Sequence, residues 1–191
     1  MPASSWAPCK VAEGWSRGQR RLHWWTAGLV AAGFVLAWIM LAVPLRDLLS
    51  KFLLFQLHKT IGLIVFALVL WRLGLRARAG RPATEAGLSV RERRAAGVVQ
   101  ALLYALLLAV PGLGYLTACT APSGVPTLFL GLIPVPAIVG ADPGWYEVLR
   151  TAHRWLAITL VVLAGGHALA ALSHHRRGRA VLVRMWRGPP A

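Results

Sequence analysis

Charge is scarce in this chain of 191 residues, and acid is scarcer still. Only 14% of the residues are charged, and six are Asp or Glu. A water-soluble domain carries about a quarter charged residues, so a fully solvated globular surface is excluded. Cysteine is nearly absent, with Cys9 and Cys119 the only two. Two thiols cannot furnish the four ligands of an iron–sulfur cluster. No C-x-x-C-H run offers covalent heme attachment. There is no internal repeat. None of the six acids lies within a long apolar run, which argues against a carboxylate proton relay there.

What is present is apolar length. The chain is 57% hydrophobic, with a mean hydropathy of +0.59. Crossing the hydrocarbon core of a bilayer takes about 20 apolar residues per helix. Four runs qualify: Trp24–Val43, Phe52–Leu75, Val98–Cys119 and Leu149–Leu172. The first is too long for a signal-peptide core, no small-x-small cleavage site follows it, and His23 stands at its mouth. The expected fold is all-α: an integral membrane four-helix bundle forming one domain over 1–191, with no soluble domain. Its helices are expected at about 17–43, 52–76, 95–119 and 146–175.

The net charge of +15 is unevenly placed. If the chain threads four times, sixteen cations share one side: Lys10, Arg17, Arg20, Arg21, Arg72, Arg76, Arg78, Arg81, Arg91, Arg93, Arg94, Arg176, Arg177, Arg179, Arg184 and Arg187. The other side holds Arg46, Lys51, Lys59, Arg150 and Arg154. This is the positive-inside asymmetry, and it puts both termini in the cytoplasm. Anchoring to anionic membrane lipid accounts for most of these charges. They flank apolar runs and form no folded patch, so no nucleic-acid partner is expected. Cys9 and Cys119 fall on opposite sides, so no disulfide joins them. The stretch TAPSGVPTLFLGLIPVPAIVGADPGWYE is the longest expected non-helical segment. Its apolar content places it on the outer membrane surface as a cover. Pro111, in PGLG, predicts a kink in the third helix.

Histidines inside apolar runs are rare and usually functional. His153 and His167 both lie in the fourth run. Fourteen residues bring a helix back to within about 40° of the same face, about 21 Å further along. One face therefore presents imidazoles at two depths. His58, near the outer end of the second helix, matches His153 in depth. His23, at the inner mouth of the first, matches His167. Each pair is suited to clamp one flat ligand between helices, and heme b fits: its iron takes two axial nitrogens and its porphyrin suits a bundle core. Two hemes so stacked make an electron path, and filled axial positions favour electron transfer over oxygen activation. Polar packing between helices is the bland alternative. Zinc or copper would want three or four ligands at one depth. Gly165 and Gly166 before His167, Gly62 on the His58 face, and Gly112 and Gly114 on the third helix would permit close approach of a porphyrin, or ordinary helix packing.

The motifs RGQRRLHWW (17–25), LHKTIG (57–62), PGLGYLTA and AHRWLAITLVVLAGGHALAALSHH, followed by LVRMW, resemble the bacterial cytochrome b561 family. The resemblance runs from about Arg17 to Trp186. It implies a multi-pass protein of the bacterial inner membrane with two b hemes and the axial pairs His23–His167 and His58–His153. The length resembles that of stand-alone members, including the superoxide oxidase type, which passes electrons from outer-side superoxide to ubiquinone. Larger relatives are cytochrome subunits of hydrogenases and formate dehydrogenases.

Two functions are therefore expected in competition. One is a quinone-linked oxidoreductase with a small outer-side donor. The other is an electron-transfer subunit or carrier that docks a partner redox protein. Lys59 and Arg154 flank the outer histidines, where they could draw in a small anion or bind heme propionates. His174 follows His167 by seven residues, on nearly the same face and about 10 Å further on. It is a candidate proton donor to a quinone oxygen, with Arg184 nearby and Trp24 as an aromatic wall. Headgroup contact and interfacial anchoring are the alternative uses of these residues.

Overall fold

The computed structural model describes residues 15–79 and 88–187. Cys9, Lys10 and Arg81 lie outside the described residues. Four long helices carry the chain back and forth: α1 (Arg17–Ala42), α2 (Leu48–Ala79), α3 (Val90–Thr120) and α4 (Pro143–Arg176). At about 1.5 Å per residue each exceeds the roughly 30 Å hydrocarbon thickness. All four have the length and composition to cross a membrane.

All four helices begin before their apolar runs do, because polar residues ahead of the runs set their starts. Ser16 opens α1 with a capping box: its hydroxyl accepts from the Gln19 amide, and the Gln19 side chain accepts from the Ser16 amide. Ser89 and Glu92 repeat the device on α3. Asp142 caps α4 through the Trp145 amide, with Pro143 in the first turn. Each cap satisfies an amide that the helix itself cannot. Hence α3 starts at Val90 rather than near 95 and α4 at Pro143 rather than near 146; α2 starts at Leu48 rather than near 52, with the Asp47 carboxylate accepting from the Ser50 amide in its first turn. Helix α3 runs on through Pro111.

Neighbours in sequence are neighbours in space: α1 lies on α2, α2 on α3, and α3 on α4. Helix α4 meets α1 sparsely and stands off α2. Buried α1 residues recur at Gln19, Leu22, Thr26, Gly33, Leu36 and Met40, a helical stripe facing inward. Large apolar side chains such as Trp38, Leu41, Trp71 and Val162 are exposed on the outside, as lipid-facing residues are.

Two elements lie outside the four helices. The Pro-rich segment forms a small antiparallel hairpin, β1 (Thr127–Phe129) with β2 (Ile133–Val135). Leu130 and Gly131 turn it, both with positive φ. The hairpin lies on α2. Gln56 donates to the Pro126 carbonyl and accepts from the Leu128 amide, both at 2.9 Å, and the Thr60 hydroxyl accepts from the Leu130 amide. The Tyr115 hydroxyl donates to the Pro136 carbonyl and ties the segment to α3. At the opposite end of the bundle a short helix, α5 (Val181–Trp186), follows α4. The bundle thus has a hairpin end and a termini end.

Candidate functional site

At the hairpin end the imidazoles of His58 (α2) and His153 (α4) face each other with centroids 6.2 Å apart. The His58 Nδ1 lies 3.1 Å from the Gly33 carbonyl, and the His153 Nδ1 lies 2.9 Å from the Val110 carbonyl. A carbonyl only accepts, so both rings carry their proton on Nδ1 and leave Nε2 as a bare lone pair. Metal-bound histidines are held in this way by a second-shell acceptor. Helix α3 supplies no histidine but it shapes this site. A Cβ on Gly114 would lie 2.9 Å from His153 Cε1, so only glycine lets the α3 backbone come this close to the ring. Gly33 brings α1 to α2 less tightly, where its Cβ would sit 3.4 Å from Ile61. The other glycines flagged from sequence behave differently. Gly62 meets Pro111 at ordinary contact distance, and Gly112, Gly165 and Gly166 have nothing within 4 Å.

At the termini end His23 (α1) and His167 (α4) stand with centroids 6.5 Å apart. Here the second partner differs. The Arg72 guanidinium donates to His23 Nδ1 at 3.1 Å. Arg72 and Arg76 both stand 5.4 Å from the centre of the Tyr104 ring. Arg72 lies inside the second apolar run, the one signal in the sequence that it does more than anchor.

The two centroid separations test the heme fit. A metal–imidazole bond is about 2 Å long, and the ring centre lies roughly another 1 Å beyond the nitrogen, so two rings sharing one metal have centres about 6 Å apart. Both pairs meet that spacing, and α4 makes few close contacts with α1 and α2, the helices that carry the partner histidines. Among the described residues no three His, Cys, Asp or Glu side chains converge as a metal site.

The remaining candidates are dispersed. Lys59 is half-buried and Arg154 exposed at the hairpin end. At the termini end Trp24 stacks edge-on against Trp186 at 5.1 Å, and its indole N–H donates to the Met185 carbonyl. This contact brings α5, which carries Arg184, against α1. Beside it lies a cavity of about 630 Å³ lined by Arg17, Arg20, Arg21, Trp25 and Trp186. His174 is not among its lining residues. Gly178, with φ of +75°, closes α4 and folds Arg179 back. The Arg179 guanidinium then donates to His174 Nδ1 at 3.0 Å and pairs with Glu92 of α3 at 2.7 Å. That network was missed from sequence because Arg179 and Glu92 are 87 residues apart.

A family model described as prokaryotic cytochrome b561 matches residues 14–188. Over 120 residues the chain is 32% identical to cytochrome b561 homolog 2 of Escherichia coli (strain K12), a match covering 63% of each protein and so just under two thirds of that relative. It is 30% identical over 165 residues to cytochrome b561 homolog 1 of the same organism, covering 84% of this chain and 89% of the relative. With four membrane-length helices and these matches, the chain belongs to the prokaryotic cytochrome b561 family of multi-pass, heme b electron-transfer proteins.

Proposed function

We propose that the protein moves electrons between a small outer-side donor of the superoxide type and membrane ubiquinone in the bacterial inner membrane, with both termini cytoplasmic. Two b hemes are held, one by His58 and His153 at the outer, hairpin end and one by His23 and His167 at the inner, termini end. The observation that carries this is the pair of histidine couples, 6.2 and 6.5 Å between centroids, each of which shares α4. Heme b, when bound, supplies a reversible one-electron couple. His58 and His153 present Nε2 because their Nδ1 protons are committed to carbonyls. Lys59 and Arg154 place positive charge at the outer end, where it favours the approach of a small anion.

Quinone reduction takes up two electrons and two protons. His174 accepts from Arg179 at Nδ1, which leaves its Nε2–H to hydrogen-bond a quinone oxygen; the imidazolium that gives up a proton there forms when Arg179 withdraws to Glu92 and water protonates Nδ1 in its place. Trp24 stands at the same end of the bundle as an aromatic wall for the quinone ring, and Arg184 rides on α5 beside it. A redox-titrated visible spectrum tests the whole. Superoxide is expected to reduce the purified protein, and added ubiquinone to reoxidise it. If superoxide leaves the spectrum unchanged and a redox protein co-purifies in mild detergent, the chain is the cytochrome of a larger complex.

A further inference from the structure

Among the described residues, three buried side-chain nitrogens have no hydrogen-bond partner: Gln19 Nε2, Arg20 Nε and Arg20 Nη1. They belong to consecutive residues, four and three positions before His23, and so lie one turn away on its side of α1. All three are donors. The Gln19 oxygen is already occupied by the Ser16 amide. The acidic side chains of the described residues are engaged elsewhere: Glu92 with Arg179, Glu147 with Arg150, Asp142 in the α4 cap and Asp47 with the Ser50 amide.

Arg72 adds a fourth misfit. It donates to His23 Nδ1. A histidine that binds metal through Nε2 carries its proton on Nδ1, and so cannot accept there from a guanidinium, which only donates. If His23 is an axial ligand, Arg72 must find another acceptor. Gln19 and Arg20 of α1 and Arg72 of α2 thus bring donors to the His23 end of the bundle in excess of acceptors, with Arg76 adding a second guanidinium at Tyr104. What answers this is a group rich in acceptors and carrying negative charge. The polar edge of heme b, with its two propionate carboxylates, is such a group.

We infer that Gln19, Arg20 and Arg72 form a donor cradle for the propionates of the heme held by His23 and His167, and that Arg72 exchanges His23 Nδ1 for a carboxylate oxygen when that heme binds. The inference rests on the axial pairing proposed above. The freed Nδ1 then carries the ring proton, as it already does in His58 and His153. Positive charge held at this edge favours the electron-rich state of the inner heme over that of the outer one.

The test uses loaded protein in phosphatidylcholine nanodiscs, comparing wild type, Arg20→Gln, Arg20→Lys and Arg72→Gln. Heme per chain and the effect of His23→Ala establish the pairing itself. Wild type is expected to hold two hemes and His23→Ala to lose one. If that fails, the axial assignment falls, whatever the arginine variants do. With the pairing in place, Arg20→Gln and Arg72→Gln are each expected to lower one of the two midpoint potentials and leave the other. Each is expected to speed transfer of one heme to excess apomyoglobin by about tenfold, the weight of one charge-assisted hydrogen bond. Arg20→Lys should recover most of the potential. If Arg72→Gln does not assemble, Arg20→Gln decides alone. Two hemes with unchanged potentials and transfer rates overturn the cradle. So does a shift seen in phosphatidylglycerol discs and absent in phosphatidylcholine, since it assigns Arg20 to a lipid phosphate.

Discussion

The two ends of the bundle hold their histidine pairs by different means. At the hairpin end both imidazoles are fixed by backbone carbonyls, Gly33 and Val110, and a glycine lets α3 close on one ring. No charged side chain takes part in those hydrogen bonds. At the termini end His23 is held by a guanidinium, two residues one turn before it have buried unpaired donors, and a 630 Å³ cavity opens beside Trp24. Backbone acceptors cannot move away without unwinding a helix, so the hairpin end is rigid and preformed. Side-chain donors can exchange partners, so the termini end can adapt to what binds. Under the function proposed above, electrons taken at one face and handed with protons to a mobile acceptor at the other make use of both.

The sharpest way to break the comparison is to remove one ring. His153→Ala is expected to reduce heme from two per chain to one, measured by pyridine hemochrome, and to spare the His23–His167 component of the spectrum. Loss of both hemes with the fold intact by circular dichroism would show that the two ends are not independent. Next in size is the exit step at the other end. His174→Phe is expected to keep both hemes and to slow reoxidation by ubiquinone about a hundredfold in stopped flow, the lower range for loss of a general acid. His175→Phe, an exposed neighbour, should do little. Equal reoxidation by the His174 variant and wild type would move the quinone away from this end.

Gly114→Ala probes the hairpin end more gently. The added methyl would lie 2.9 Å from His153 Cε1 and 3.1 Å from its Nδ1. Either α3 moves back or the ring turns and loses the Val110 carbonyl. Overpacking of this kind costs about 1–3 kcal/mol. A lower melting temperature and partial loss of one heme are expected, with the termini-end component unchanged. Full retention of both hemes and of stability would mean that α3 is free to retreat and does not position the ring.

The sequence showed these features unequally, and the reasons are physical. Four apolar runs longer than a bilayer is thick leave few folds open. The helical period alone put His153 and His167 on one face, and the structure brings each beside the histidine of matching depth. Helix starts were misplaced because Asp142, Ser89 and their kind cap from outside the apolar run. The hairpin was invisible because three-residue strands, one containing Pro134, carry no alternating pattern of useful length. Helix α5 is six residues long, too short to register by periodicity. It is held by Trp24 stacking on Trp186 across the sequence. Arg72 was counted as one anchor among sixteen, and nothing local pairs it with a histidine 49 residues away.

The smallest effect expected is at the cover of the hairpin end, and it separates rigidity from mere proximity. Gln56 is 2% exposed and holds the edge of β1 that faces away from β2, donating to Pro126 and accepting from Leu128. Leu130, with φ of 55°, adopts a left-handed conformation that costs a non-glycine residue about 1 kcal/mol. The Thr60 hydroxyl fixes its amide. Gln56→Leu keeps the bulk of the side chain and removes both hydrogen bonds, leaving a carbonyl and an amide to find water. The expected cost is about 1–2 kcal/mol, felt locally, because the helices do not depend on this side chain. Amide exchange at Leu128 and Leu130 should quicken by about tenfold, with heme content unchanged and the His58–His153 spectrum hardly moved. If exchange quickens together at the His58 turn of α2 and the outer heme loosens, the hairpin is part of what makes this end rigid. The two carbonyls would then not suffice to hold its histidines.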